Sequence, residues 1–237
     1  MLCKLQEILD QSSNIVFFGG AGVSTESGIP DFRSKDGLYN QKYDYPPETI
    51  LSHSFFIAHP EEFYRFYREK MLSYSPKPNA AHLKLAELER AGKLKAVVTQ
   101  NIDGLHQAAG SNSVFELHGS IHRNYCIECG SFYDVSYIRD SDGIPKCICG
   151  GIIKPDVILY EEELADATVE GAVDAISKAD TLIVAGTSLT VYPAAGLLRC
   201  FRGAKRVLIN RDATPLDAAA DLVIHAKVGE TLAKCRV

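Results

Sequence analysis

Short unbroken runs of apolar residues alternate along this chain with longer segments in which apolar positions recur every three or four residues. The runs are "NIVFF" (14–18), "LKAVVT" (94–99), "SVFEL" (113–117), "DVILY" (156–160), "TLIVAG" (181–186), "RVLIN" (206–210) and "DLVIH" (221–225). Runs that are not interrupted by polar residues predict strands covered on both faces, as in a parallel sheet. Helical spacing predicts helices over 2–11, 80–91, 165–178, 193–201 and 215–220. Strands alternating with helices imply an α/β fold: a doubly wound, mostly parallel Rossmann-like sheet with right-handed crossovers.

Two segments break the alternation. Residues 34–78 are aromatic, contain proline and are helical in pattern, and residues 122–154 hold four closely spaced cysteines. They read as two insertions in one domain, 1–237. Its large lobe is formed by 1–33, 79–121 and 155–237, and its smaller lobe by the helical insertion 34–78 with 122–154. No internal repeat or low-complexity tract is present.

The bulk numbers narrow the function. A chain of 237 residues buries a substantial core. Its net charge of -5, from 25 basic and 30 acidic residues, lacks the electrostatic footprint of a nucleic-acid binder, so small molecules or proteins are the expected partners. The first residues lack the basic start and apolar run of an export signal, and no segment has the length of a membrane span. Four of the seven cysteines cluster, Cys126-x-x-Cys129 and Cys147-x-Cys149, with seventeen residues between the pairs. Two thiolate pairs flanking a hairpin-sized loop predict a zinc ribbon holding one structural Zn²⁺, and a reducing, cytoplasmic setting.

The remaining chemistry falls at strand ends, where open α/β sheets bind ligands. After the first run comes "GGAGVSTESGIPDFR". Gly20 and Gly22 are spaced as a phosphate-binding turn, but Thr25 replaces the third glycine of a dehydrogenase fingerprint, and no acidic residue is placed to hold a ribose. The second run ends in "TQNID", a row of hydrogen-bonding side chains that suits either a ligand site or the capping of a following helix by Asn101 or Asp103. His118, in "FELHGSIH", stands at a strand end where an imidazole serves as a general base, or is simply structural. His106 and His122 flank it. Gly186, Thr187 and Ser188 lie between a strand and a helix, suited to phosphate or ribose hydroxyls.

Taken in order, "GAGVSTESGIPDFR", "TQNID", "LHG", the paired cysteines, "KPDVILYEE", "GTSLTVYPAA" and "LIN" resemble the sirtuin family of NAD-dependent protein lysine deacylases, over about residues 14–210. The resemblance implies that NAD and an acetyl-lysine protein react to give nicotinamide, 2'-O-acetyl-ADP-ribose and free lysine. It assigns catalysis to His118, with Asn101 and Asp103. Gln100 and Asn101 go to ribose and ordered water, and Ile102 and Asp103 to the nicotinamide. Ala21, Gly22 and Thr25 go to the phosphate loop, Phe32 to the aromatic covering the nicotinamide site, Arg33 to a cation beside the cofactor, and Gly186, Thr187, Ser188, Asn210 and Arg211 to the adenosine half. The acylated peptide is expected to lie as an added strand near Val157, Tyr160 and Val191. Here Tyr160-Glu161-Glu162 stands where many relatives have Phe-Gly-Glu.

Members that take acidic acyl groups carry a tyrosine and an arginine three residues apart on the helical insertion. Alignment on "EFY" places Tyr64 and Tyr67 there, with Arg68 turned away by about 100° of helix. Neutral acyl groups are therefore expected. A different class, an NAD- or ADP-ribose-binding module without turnover, would need neither a placed base nor the polar strand end.

Overall fold

The computed structural model describes residues 1–31 and 44–237. Its strands are β1 (Ile15–Gly19), β2 (Leu94–Thr99), β3 (Val114–Glu116), β4 (Gly119–Cys126), β5 (Phe132–Asp134), β6 (Ile153–Val157), β7 (Thr181–Ala185), β8 (Lys205–Ile209) and β9 (Leu222–Ile224). Six of them form one sheet in the order β3-β2-β1-β7-β8-β9, every pair parallel. The central strands β1 and β7 are buried along their whole length, which is why their sequences do not alternate. Alternate residues instead serve two cores. Ile15 and Phe17 pack with the helices Leu2–Gln11 and Ala80–Arg90 on one face, and Val16 and Phe18 pack toward the helix Asp166–Lys178 on the other.

From β1 the chain builds outward to β2 and β3, and from β7 it builds the opposite way to β8 and β9. The order therefore reverses between β1 and β7, the switch point at which an open sheet of this kind offers a ligand crevice beyond the carboxyl ends of its strands.

Not every expected element forms. The "DVILY" run is not a strand of the large sheet. The strand is β6, Ile153–Val157, antiparallel to β4 in a second sheet of order β5-β4-β6. Its burial alternates, with Ile153, Pro155 and Val157 inward and Lys154 and Asp156 less buried, as in a one-sided sheet. The helical patterns at 193–201 and 215–220 are realised as 3₁₀ turns, Ala194–Cys200 and Asp217–Ala219.

The two insertions are far apart in sequence but share one core. Phe55, Phe56, Phe63, Tyr64, Phe66 and Tyr67 of the helical segment pack with Ile138, Ile153, Cys126 and Cys147 of the cysteine segment. Tyr64 donates its hydroxyl to the Ile153 carbonyl. Arg123 ties this unit to the large sheet, its Nε 2.7 Å from Asp156 and its Nη1 2.7 Å from Glu116 at the end of β3. Among the described residues no helix is long and apolar enough to cross a membrane.

Candidate active site

The crevice between β1 and β7 opens into a cavity of about 990 Å³ that runs toward the smaller sheet. Glycines line its floor, where two loops meet. The N–H of Gly22 donates to the carbonyl of Gly186 at 2.8 Å. A Cβ on Gly20 would stand 2.9 Å from that same oxygen, and one on Gly22 2.8 Å from the Gly186 Cα. Gly186 itself is left-handed, with φ +58. The glycines therefore let the loops after β1 and β7 lie directly on each other. Ala21 and Thr25 open two successive 3₁₀ turns, so their N–H groups have no partner within those turns and suit an anionic ligand.

The polar end of β2 resolves into a set of fixed contacts. Gln100 reaches Thr187 Oγ1 with its side-chain amide at 3.1 Å, bridging the two sides of the crevice. Asn101 Nδ2 donates to Ser24 Oγ at 3.0 Å, and Ser24 Oγ donates to Asp103 Oδ2 at 2.6 Å. The other oxygen of Asp103 accepts from Leu105 N at 2.9 Å, at the start of the short helix Leu105–Ala108. The N-cap itself is Gly104, so Asp103 receives the first N–H of the helix from the position before the cap, and it also lines the cavity. Ser24, 1% exposed, joins the site without having been marked by the sequence pattern, although it lies inside the Gly-rich motif.

His118 follows β3 and lines the same cavity. Its Nδ1 is 2.9 Å from the carbonyl oxygen of Gln100. A carbonyl only accepts, so Nδ1 carries a proton, and whenever the ring is neutral Nε2 holds the free lone pair. Burial pushes the imidazole pKa below its ordinary 6.5, against the opposing pull of the Gln100 hydrogen bond. A half-buried, neutral imidazole with a fixed tautomer is equipped to accept a proton at Nε2. His122 instead braces the loop: its Nε2 donates to the Asp103 carbonyl at 3.0 Å, packed where a side chain on Gly104 would stand. His106 is buried behind β1 and does not line the cavity.

Ala21, Gly22, Thr25, Gln100, Asn101, Ile102, Asp103, His118, Gly186, Thr187, Ser188, Asn210 and Arg211 all line this one cavity, as do Val157, Tyr160 and Val191. Phe32 and Arg33 lie outside the described residues. The helical insertion adds Leu51, Tyr67, Lys70, Met71 and Tyr74, of which only Tyr67 stands out in the sequence. Tyr64 does not line it. Arg68 is turned toward the cysteine segment, bound to the Ile138 carbonyl, Ser141 Oγ and the Gly143 carbonyl at 2.7 to 2.8 Å.

The four clustered cysteines meet at one point. Their sulfurs all lie within 4.8 Å of one another, and three pairs are 3.5 Å apart. A tetrahedron with Zn–S bonds of about 2.3 Å has edges of about 3.8 Å, so the set fits one Zn²⁺ with only a small expansion. The fourth position is filled by a cysteine, which makes this a closed, structural site. The one-residue gap between Cys147 and Cys149 does not prevent both sulfurs from joining it.

A family model described as Sir2 family matches residues 20–193. An NAD-dependent protein deacetylase of Clostridium perfringens is 62% identical over 235 residues, which covers 98% of this chain and 96% of that protein. A solved Sir2 enzyme superposes with a TM-score of 0.89 at 44% identity, covering 98% of this chain and 95% of that one. Another, a Sir2 in complex with the inhibitor EX-527, 2'-O-acetyl-ADP-ribose and a deacetylated p53 peptide, gives 0.85 at 38% identity over 97% of this chain and 95% of that one.

Proposed function

The chain belongs to the Sir2 family, and from that membership we propose that its cavity brings NAD and an acetyl-lysine side chain of a protein together, with His118 as the general base. The acetyl oxygen bonds to the ribose C1' as the bond to nicotinamide breaks, the acetyl carbon then passes to the 2'-oxygen as its bond to the lysine nitrogen breaks, and one water completes the exchange, so that NAD, acetyl-lysine and water give nicotinamide, 2'-O-acetyl-ADP-ribose and free lysine.

The residues divide the work by position. The turns opened by Ala21 and Thr25 offer N–H groups to the pyrophosphate, and the loop Gly186, Thr187 and Ser188 with Asn210 and Arg211 receives the adenosine half. Gln100, fixed by Thr187, lies between these regions and supports the ribose nearer the reaction. Asn101 and Asp103, held by Ser24, place acceptor oxygens beside the nicotinamide and the sugar carbon on which positive charge develops. His118 Nε2 takes the proton of a ribose hydroxyl, which turns that oxygen into the nucleophile for the acetyl group. The acetylated segment lies along Val157 and Tyr160 on one side and Val191 on the other. The zinc site holds the smaller sheet together and takes no part in the chemistry.

The observation that carries this reading is the His118 Nδ1 contact with the Gln100 carbonyl, because it places the single proton of the neutral ring on Nδ1 and so makes Nε2 the acceptor of a ring that lines the cavity the nucleotide loops share. Its test is the release of nicotinamide from NAD with and without an acetylated peptide. Release that requires the peptide supports a coupled deacetylation. Binding of NAD with no peptide-dependent release would leave only a nucleotide-binding module.

A further inference from the structure

Building on that reading, we infer that Glu161 is a positioning residue for the acetylated peptide, whose carboxylate holds its own backbone in the left-handed conformation that shapes this side of the cleft. Glu161 has φ +75, and with Leu189 it is one of two non-glycine residues at positive φ among the described residues. A side chain disfavours that conformation because Cβ crowds the following carbonyl, so the neighbours must hold it there.

They do so from the helical insertion. Glu161 Oε2 accepts from Ser54 N at 2.8 Å, and Oε1 accepts from Ser54 Oγ at 3.0 Å. The flanking backbone is stitched to the same segment: Tyr160 N donates to the Leu51 carbonyl at 2.9 Å, and the Tyr160 carbonyl accepts from His53 N at 3.0 Å. Glu162 adds its own contacts, to His53 Nδ1 at 2.8 Å, Lys154 Nζ at 3.0 Å and Leu159 N at 2.9 Å. On its other side this loop is bonded to the base, since Ile158 N donates to the carbonyl of His118 at 3.0 Å. Residues 158–162 therefore form a bridge between the helical insertion and His118, and Tyr160 and Glu161 line the cavity where the peptide is placed. The shape of that bridge sets the distance between the peptide backbone and the base, and Glu161 is its one strained point.

Substitutions at this position separate the clip from the strain. In Glu161→Ala the clip to Ser54 is gone while the Cβ penalty remains, so the loop relaxes. The Michaelis constant for an acetyl-lysine peptide is expected to rise about five- to tenfold, with kcat changed less than about twofold and the NAD constant unmoved. Glu161→Gly loses the clip as well but adopts positive φ without penalty, so it is expected within about twofold of the parent. Glu161→Gln keeps an acceptor oxygen for Ser54 and is expected to fall near the parent too. Dissociation constants for the acetylated peptide, measured by fluorescence anisotropy, should follow the same order, and thermal midpoints check that all variants are folded. An alanine variant equal to the parent, or a glycine variant as weak as the alanine one, would overturn the assignment. A parent protein that binds no acetylated peptide and releases no nicotinamide would instead end the reading on which the assignment rests, and the assignment with it.

Discussion

The Nδ1 atom of His118 lies 2.9 Å from the carbonyl oxygen of Gln100, the residue whose side chain spans the crevice to Thr187. One residue thus fixes the tautomer of the base and the nearby polar wall together. Replacement of His118 by alanine is expected to lower kcat by about 10²- to 10⁴-fold while NAD binding largely survives, because the phosphate loop and the adenosine loop do not depend on the ring. Steady-state rates beside NAD titrations check this, and near-normal turnover would remove the assignment.

The pH profile follows from the same ring. Burial lowers the His118 pKa below 6.5, and a general base works in its neutral form. Activity should therefore be lost as pH falls, with the acid limb of kcat/KM centred below 6.5, and this limb should disappear from the residual activity of the alanine variant. A limb centred well above 6.5 would be incompatible with a buried neutral base.

Much of this site is legible in the sequence because phosphate loops and polar strand ends are local: the residues from Ala21 to Thr25 and from Gln100 to Asp103 are each supplied by one turn. Ser24 is not, since its role depends on Asn101 and Asp103 reaching it across the sheet. The pattern misplaces the strand at Ile153–Val157 because an apolar run does not say which strand will pair with it. Its partner is β4, whose Gly119 lies so close to β6 that a Cβ there would stand 1.9 Å from the Asp156 carbonyl. The shared core of the two insertions, joined where Tyr64 reaches Ile153, is equally invisible, because 89 residues separate the partners.

The cysteine site makes a prediction about composition and order of unfolding. Elemental analysis should find about one zinc per chain. Cys126 and Cys147 belong to the core that also contains Phe56 and Phe63, so chelation should loosen the smaller lobe, and Cys129→Ser should lower both zinc content and thermal midpoint. Active protein purified without metal would count against a structural zinc.

A buried histidine pair predicts acid sensitivity of the fold. His82 and His106 meet edge to face with 4.7 Å between centroids, and His82 Nε2 and both nitrogens of His106 are buried without a hydrogen-bond partner among the described residues. Burial lowers their pKa values to about 4 and about 3 respectively. The unfolded chain takes up these protons near 6.5 and the folded one does not, so their contribution to stability is complete above about pH 6.5 and is lost as pH falls toward 4. Each contributes up to about 1.4 kcal/mol per pH unit inside that window. Denaturant unfolding of His106→Leu should show a shallower pH dependence between about pH 6 and 4 than the parent; identical slopes would speak against this origin.

Acyl selectivity follows from where the arginines of the helical insertion go. Arg68 is bound among Ile138, Ser141 and Gly143, and Arg65 pairs with Glu62, so neither lines the cavity. Lys70 does, paired with Glu69 at 2.8 Å. A carboxylate buried beside Tyr67 and Met71 would find no guanidinium from the described residues of the helical insertion, and desolvating it is costly. An acetyl-lysine peptide should therefore exceed its succinyl counterpart in kcat/KM by at least about tenfold. Comparable values would mean that Lys70 or one of the arginines reaches the acyl group.

Whether the acetyl group passes from lysine to the ribose of NAD is decided by mass spectrometry of the complete reaction, an acetyl-lysine peptide incubated with the protein and NAD. Deacetylated peptide, nicotinamide and acetyl-ADP-ribose should appear in equal amounts, and none should appear when NAD is omitted. Deacetylated peptide with free acetate and unconsumed NAD would refute acyl transfer to the nucleotide.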